Sequence, residues 1–259
     1  MSVDLKDRTA LVTGSTSGIG RATAIALAAR GAHVLVVGRN AQRAERVVAE
    51  IEGSGGKASF TLTTLGDLES AQDLARWATE AGDGHVDILV NNAGVAFLGP
   101  SDAATEAEFD ETFGLNVKVP FFLVAALAPA MAERGWGSIV NVSTMVASFG
   151  QAGMAMYGAS RAGLELLTKA WAAEYGPRGV RVNAVAPGPT RTRMTEGLPD
   201  EMVNQLAALA PAGRLAEPEE LASAIVFLAS DSSTEHRPPM TQQEPPNLNK
   251  PTQEEREYR

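Results

Sequence analysis

The chain contains no cysteine. That excludes disulfides, thiolate metal sites and cysteine nucleophiles. Histidine is scarce, with His33, His85 and His236 the only three in 259 residues. They stand far apart, so a histidine metal cluster or a Ser-His-Asp triad has little material, and each reads as a surface or packing residue. A basic excess is also lacking: the net charge is -9. General binding to nucleic acid or to an anionic membrane needs the opposite sign, so neither is expected as a partner. Long apolar runs are missing too. The longest, Val119 to Met131, is too short to span a bilayer and contains Pro120 and Pro129. Met1 to Lys6 has no apolar segment of the kind a secretory signal needs. A soluble, cytoplasmic protein is expected.

What is present is an alternation. Short runs rich in β-branched residues (Thr9–Val12, His33–Val37, Ala58–Leu62, Ile88–Val90, Ser138–Val142, Val180–Val185) read as buried strands. Between and after them lie helical segments: Arg21–Arg30, Ala41–Glu52, Leu68–Ala81, Glu106–Ala132, Ala155–Tyr175 and Pro218–Ser230. Strands separated by helices of this length imply right-handed βαβ units. The expected fold class is therefore α/β, a doubly wound parallel sheet with helices on both faces in a single domain over residues 1–231. From Ser232 to Arg259 there is no glycine and little apolar residue, while Pro, Gln and Glu abound. Pro238-Pro239 and Pro245-Pro246 oppose helix and central strand alike. The stretch 232–259 is expected to be a disordered tail.

Thr13-Gly14-Ser15-Thr16-Ser17-Gly18-Ile19-Gly20 follows the first expected strand and opens the first helix. Glycines permit a tight turn and close approach of backbone to a pyrophosphate. The helix N-terminus adds free N–H groups and the positive end of its dipole. The strand–turn–helix context makes this a strong dinucleotide signal. At the other end of the chemistry, Tyr157 and Arg161 are i and i+4 on one helix and project to the same side. A tyrosine can act as acid or base near neutral pH when a fixed cation favours its phenolate. Ser143 follows the strand Ile139–Val142, where a hydroxyl at the carboxyl edge of the sheet can meet a substrate oxygen.

The spacing Gly14-x-x-x-Gly18-x-Gly20, with Asn91-Asn92-Ala93-Gly94, Asn116, Ser143, Tyr157 and Pro187-Gly188 in order, resembles the short-chain dehydrogenase/reductase family over about residues 5 to 231. The resemblance implies a Rossmann-type sheet and an NAD(P)-dependent oxidoreductase that moves a hydride between nicotinamide and a carbonyl or secondary alcohol. It implies that Gly14, Ser15, Ser17, Gly18, Ile19 and Gly20 surround the phosphates, with Leu65, Asn92, Ala93 and Gly94 along the adenosine side. Pro187, Gly188, Thr190 and Thr192 match the segment that holds the carboxamide and a neighbouring phosphate. Tyr157 is the implied acid/base, Ser143 orients the carbonyl, and Asn116 holds a helix-borne water in the proton relay. Residue 161 is lysine in the family; Arg161 keeps the charge but is bulkier and cannot give up a proton. Lowered activity is expected, and Lys169 is too distant to substitute. Thr64 stands where the family places Asp, which weakens the expected hold on adenine.

Val36-Val37-Gly38-Arg39 lacks an acidic residue for a ribose hydroxyl, and Arg39 offers a planar fork to a 2′-phosphate. NADP(H) is favoured, with NAD(H) also possible. Met145, Val146, Phe149 and Met154, with Met194, Leu198, Met202 and Leu206 beyond Gly188, suggest a pocket for a medium-sized, mainly apolar carbonyl or alcohol, although core packing explains them equally well. Family members continue after the last helix into a final strand; Thr234-Glu235-His236-Arg237-Pro238-Pro239 replaces it here, so that strand is expected to be missing. A homodimer through the Glu106–Ala132 and Ala155–Tyr175 helices follows, rather than a tetramer. A second reading stays open: a dinucleotide-binding or structural homologue with little or no turnover.

Overall fold

In the computed structural model, which describes residues 4–193 and 195–236, six strands lie in one parallel sheet of order β3-β2-β1-β4-β5-β6. They are β1 Thr9–Val12, β2 His33–Gly38, β3 Lys57–Leu62, β4 Ile88–Asn91, β5 Gly137–Val142 and β6 Val180–Val185. Every expected strand is present within a residue or two of its expected bounds. Among the described residues β6 forms one edge of the sheet. Helices α1 Gly18–Ala28, α2 Ala41–Gly53, α3 Leu68–Ala81, α4 Glu106–Phe113, α5 Val119–Glu133, α6 Ala155–Tyr175, α7 Asp200–Ala208 and α8 Pro218–Ala229 surround it.

Alternation along the strands divides the core. Leu11, Leu89 and Ile139 face one cluster with Leu123, Met131, Leu164 and Trp171. Val12, Val34, Val36, Val90 and Val140 face the other, with Leu27 and Ile225. Both faces of the sheet are thus covered, as a parallel sheet requires. At the amino ends of the strands, buried Asp87 accepts the Thr9 N–H at 3.0 Å and sits 3.7 Å from Arg8, 3.6 Å from Arg134 and 3.3 Å from His85. This cluster pins the starts of β1 and β4 together, at the end of the sheet opposite the glycine turn.

The expected helix Glu106–Ala132 is broken in register. Gly114–Lys118 forms a π-helical turn between α4 and α5. One cause lies in Asn116, whose side chain bonds the Val95 backbone rather than solvent: Nδ2 donates to Val95 O at 2.9 Å and Oδ1 accepts from Val95 N at 3.0 Å. The whole run Glu106–Glu133 is long and apolar enough to cross a membrane by length and composition, yet Val119, Leu123, Val124 and Leu127 are packed in the core. The first helix starts earlier than expected, at Gly18, because the glycine turn itself supplies its first residues. The segment beyond Gly188, given no expected element, contains α7. Met194 lies outside the described residues. The expected tail begins with a 3-10 segment, Asp231–His236. There Arg181 of β6 bonds the Ser233 hydroxyl and donates to Ala229 O at 3.2 Å, closing the end of α8. Residues 237–259, where the rest of the expected tail falls, lie outside the described residues.

Candidate active site

The strand order reverses between β1 and β4, which opens a crevice at their carboxyl ends. Gly14 stands there with φ +64°, a backbone conformation that favours glycine. A Cβ on Gly20 would lie 2.4 Å from both Asn92 Nδ2 and Gly14 O, so no side chain fits. Helix α1 begins without a side-chain cap at Ser17 and without an acidic residue in its first turn. Its first N–H groups therefore remain available to an anion, and the turn fits the phosphates of a dinucleotide. Not every expected contact can come from a side chain. The buried Ser15 hydroxyl donates to Val12 O at 2.7 Å and accepts from Val37 N at 2.8 Å, tying β1 to β2. Ile19 and Leu65 pack their side chains on the core. The Ser15 hydroxyl is thus engaged within the fold, and Ile19 and Leu65 are only partly buried.

Thr13 joins the two sides of the crevice. Its hydroxyl accepts the N–H groups of Asn92 and Ala93, each at 3.0 Å, while Asn92 Nδ2 donates to Thr13 O at 2.9 Å. Sequence reasoning gave Thr13 no role of its own, although it stood inside the glycine motif. The third wall is the segment after β6. Pro187 O accepts from Met145 N at 2.9 Å, and buried Thr190 donates to Gly188 O at 3.0 Å. Thr192 Cγ2 lies 3.1 Å from where a Cβ of Gly18 would stand, so this segment reaches the glycine turn. Arg39 is exposed at the end of β2. One turn further, Arg43 opens α2 with its Nε buried and without a hydrogen bond, a second cation that was not anticipated. The visible signal was a second arginine at the helix opening. Thr64 is exposed.

The residues expected to carry the chemistry lie on three elements: Asn116 in the π-turn, Ser143 just after β5, and Tyr157 and Arg161 on α6. Buried Asn116 donates from Nδ2 to Ser160 Oγ at 3.1 Å as well as to Val95. Both of its amide hydrogens are engaged, so a relay water must be held by Oδ1 or by the main chain. A chain of buried polar groups fastens α6 beneath the site: Asn91 Nδ2 to Asn141 Oδ1 at 2.8 Å, then Asn141 Nδ2 to Thr168 Oγ1 at 2.8 Å. Such networks rigidify an interior, although the Asn91 Oδ1 is left buried without a partner. Tyr157, half-buried, stands in the first turn of α6.

Arg161 is only 5% exposed. Its Nη1 donates to Val142 O at 2.9 Å, its Cζ is 5.6 Å from the Tyr157 ring centre, and its Nε is buried without a partner. A Cβ on Gly94 would come within 1.8 Å of Arg161 Nη2, so the bulk of the guanidinium is accommodated by the bare backbone of Gly94. Burial pushes the Arg161 guanidinium below its ordinary pKa, and the adjacent Tyr157 opposes that shift. Lys169 is exposed and does not enter the site. Ser143 is buried, with its backbone N–H on Val185 O at 2.7 Å. Its hydroxyl donates to Glu165 Oε1 at 2.6 Å. Glu165 was not anticipated, because no motif marks it. Of the expected pocket lining, Val146 is buried, Met145 and Met154 are half-buried and Phe149 is exposed.

A parallel sheet with its crevice at the reversal point, an uncapped helix start and a tyrosine beside a buried cation point to a nucleotide-dependent oxidoreductase. A family model described as short chain dehydrogenase matches residues 8–202. The 3-oxoacyl-(acyl-carrier-protein) reductase of Thermotoga maritima is 37% identical over 230 residues, covering 89% of this chain and 93% of that protein. Among solved structures, a short chain dehydrogenase/reductase family protein is 48% identical, with 89% of this chain and 93% of that one covered at a TM-score of 0.81. The 3-oxoacyl (acyl-carrier-protein) reductase from Agrobacterium tumefaciens, with NADP bound, is 30% identical, with 90% and 91% covered at a TM-score of 0.85. The chain belongs to the short-chain dehydrogenase/reductase family, NAD(P)-dependent oxidoreductases that act on carbonyl and alcohol substrates.

Proposed function

We propose that this chain prefers NADP(H) and interconverts a ketone and a secondary alcohol of medium size and mainly apolar character, with Tyr157 as acid/base. The observation that supports the reading is the buried Arg161 guanidinium 5.6 Å from the Tyr157 ring on α6, in a fold whose glycine turn opens an uncapped helix. Gly14, Ser17, Gly18, Ile19 and Gly20 would hold the phosphates, Asn92 to Gly94 the adenosine side, and Pro187 to Thr192 the nicotinamide end. When bound, the nicotinamide supplies or accepts the hydride. Tyr157 gives its proton to the substrate oxygen in reduction and takes it in oxidation. Arg161 holds positive charge beside the phenol, and Asn116 fixes the bend of the helix against Val95.

The reading of cofactor choice rests on Arg39, exposed and beside Arg43. Arg39→Ala is expected to weaken NADPH binding by about 10- to 100-fold, the worth of a charge-assisted pair, and to leave NADH binding unchanged. Calorimetric titration of both cofactors checks this; equal losses would contradict it.

Activity below that of lysine-bearing relatives is part of the proposal, since Arg161 directs Nη1 to Val142 O. So is a homodimer. The outer faces of α4, α5 and α6 carry an apolar patch, with Phe109 49% and Leu166 68% exposed and the Phe109 and Phe113 rings stacked at 4.4 Å. A patch of this kind on a family fold supports burial against a second copy. A cytoplasmic location and a folded unit over residues 1–231 complete the reading.

A further inference from the structure

We infer that His33 makes the β2–β3 edge of the sheet sensitive to acid, holding β3 while its ring is neutral and releasing it once the ring is protonated. His33 opens β2 and is only 8% exposed. It shares the face of Leu35 and Val37, which pack with Ala71, Ala75 and Ala78 of α3. On β3, Lys57 is paired with His33 and Ser59 with Leu35, so their side chains stand on that same face. His33 Nε2 lies 3.0 Å from Ser59 Oγ, and Nδ1 is buried without a partner. The charged groups facing the ring are Lys57 of β3 and Asp83 of the turn after α3, themselves 3.4 Å apart. From β1 the ring meets the uncharged Thr9.

A neutral imidazole has one N–H and one bare nitrogen, whereas the cation carries a hydrogen on both. Whichever nitrogen holds the hydrogen of the neutral ring, the cation has an Nδ1–H with no acceptor and a charge in a buried place. Both are costly. Burial and the Lys57 ammonium accordingly push the His33 pKa below its ordinary value, and Asp83 opposes them. A ring released to water regains the ordinary value. The stability that the neutral ring gives is therefore whole above about pH 6.5 and is lost as the pH falls from there toward the lowered value. The strand that gives way is β3. It is bonded to β2 alone, and none of its residues is buried. Its neighbour β2 is held on both sides and is buried from His33 to Val37.

Amide hydrogen exchange of the full chain tests this, read by mass spectrometry at about pH 7.5 and about pH 5.5, on either side of the ordinary histidine value. Rates are corrected for the intrinsic pH dependence of exchange. Peptides over β3 are compared with peptides over β5, which is paired on both sides. The wild type is set beside His33→Gln, which keeps a partner for Ser59, and His33→Phe, which keeps a ring; neither side chain titrates. In the acid sample the wild-type protection of β3 is expected to fall about three- to tenfold relative to β5, about tenfold being the ceiling for one histidine a pH unit below its ordinary value. In both variants the fall should stay within about twofold, the scatter of such a comparison. A wild-type β3 that keeps its protection, or variants that lose it as the wild type does, overturns the inference. The His33 ring signal in NMR is a readout that needs no variant. It is expected to titrate below about pH 6.5, and a ring titrating at or above that value overturns the inference as well.

Discussion

Tyr157→Phe is expected to lower kcat by about 10²- to 10⁴-fold, the range that a positioned proton donor contributes. The change deletes one oxygen and keeps the ring. Tyr157 sits in the first turn of a helix that is anchored by the Asn91–Asn141–Thr168 chain. The fold and the phosphate turn should therefore persist. NADPH titration should give an affinity close to that of the wild type, and the melting curve should stay cooperative. Steady-state assays following nicotinamide absorbance then isolate the loss to the chemical step. A comparable rate in the two proteins would remove Tyr157 from the proton transfer.

The second large effect runs the other way. Arg161→Lys is expected to raise kcat/KM by about tenfold or more. The guanidinium is buried, its Nε has no partner, its Nη1 is held by Val142 O and its Nη2 is pressed on Gly94. An orphaned buried donor costs about 1–3 kcal/mol, and an ammonium in the same slot keeps the charge without it. Lysine also has three rotatable donors and can pass a proton, which arginine cannot. The gain should appear in kcat/KM for the hydride-transfer reaction. If the variant binds NADPH well and stays as slow as the wild type on a carbonyl panel, the reading of the chain as a cofactor-binding homologue with little turnover gains weight.

Residues read from sequence fared according to how local their signals are. The strands were legible because runs such as Val34–Val37 and Ile88–Val90 are apolar on both faces, as a covered parallel sheet demands. The glycine turn was legible because its spacing and its flanks carry one physical requirement. The π-turn at Gly114–Lys118 was not, since it accompanies a contact between Asn116 and Val95 across the fold. Helix α7 was passed over because its residues include no buried position and so lack an apolar stripe facing the core. Arg161 was visible as a departure, but its engagement with Val142 and Gly94 needed the structure. Glu165 was hidden most completely. Its partner Ser143 is on another element, and nothing in Leu164-Glu165-Leu166 distinguishes it from an ordinary polar residue of a helix.

The central claim is that this site turns over a nicotinamide through Tyr157. The most direct measurement mixes NADP+-saturated protein with a set of secondary alcohols, beginning with cyclohexanol, and follows the NADPH formed. The account predicts NADPH appearing in step with ketone in the wild type, faster in Arg161→Lys and nearly abolished in Tyr157→Phe. A tight NADP+ complex that forms no NADPH in either the wild type or Arg161→Lys would contradict it, as would equal rates with and without the Tyr157 hydroxyl.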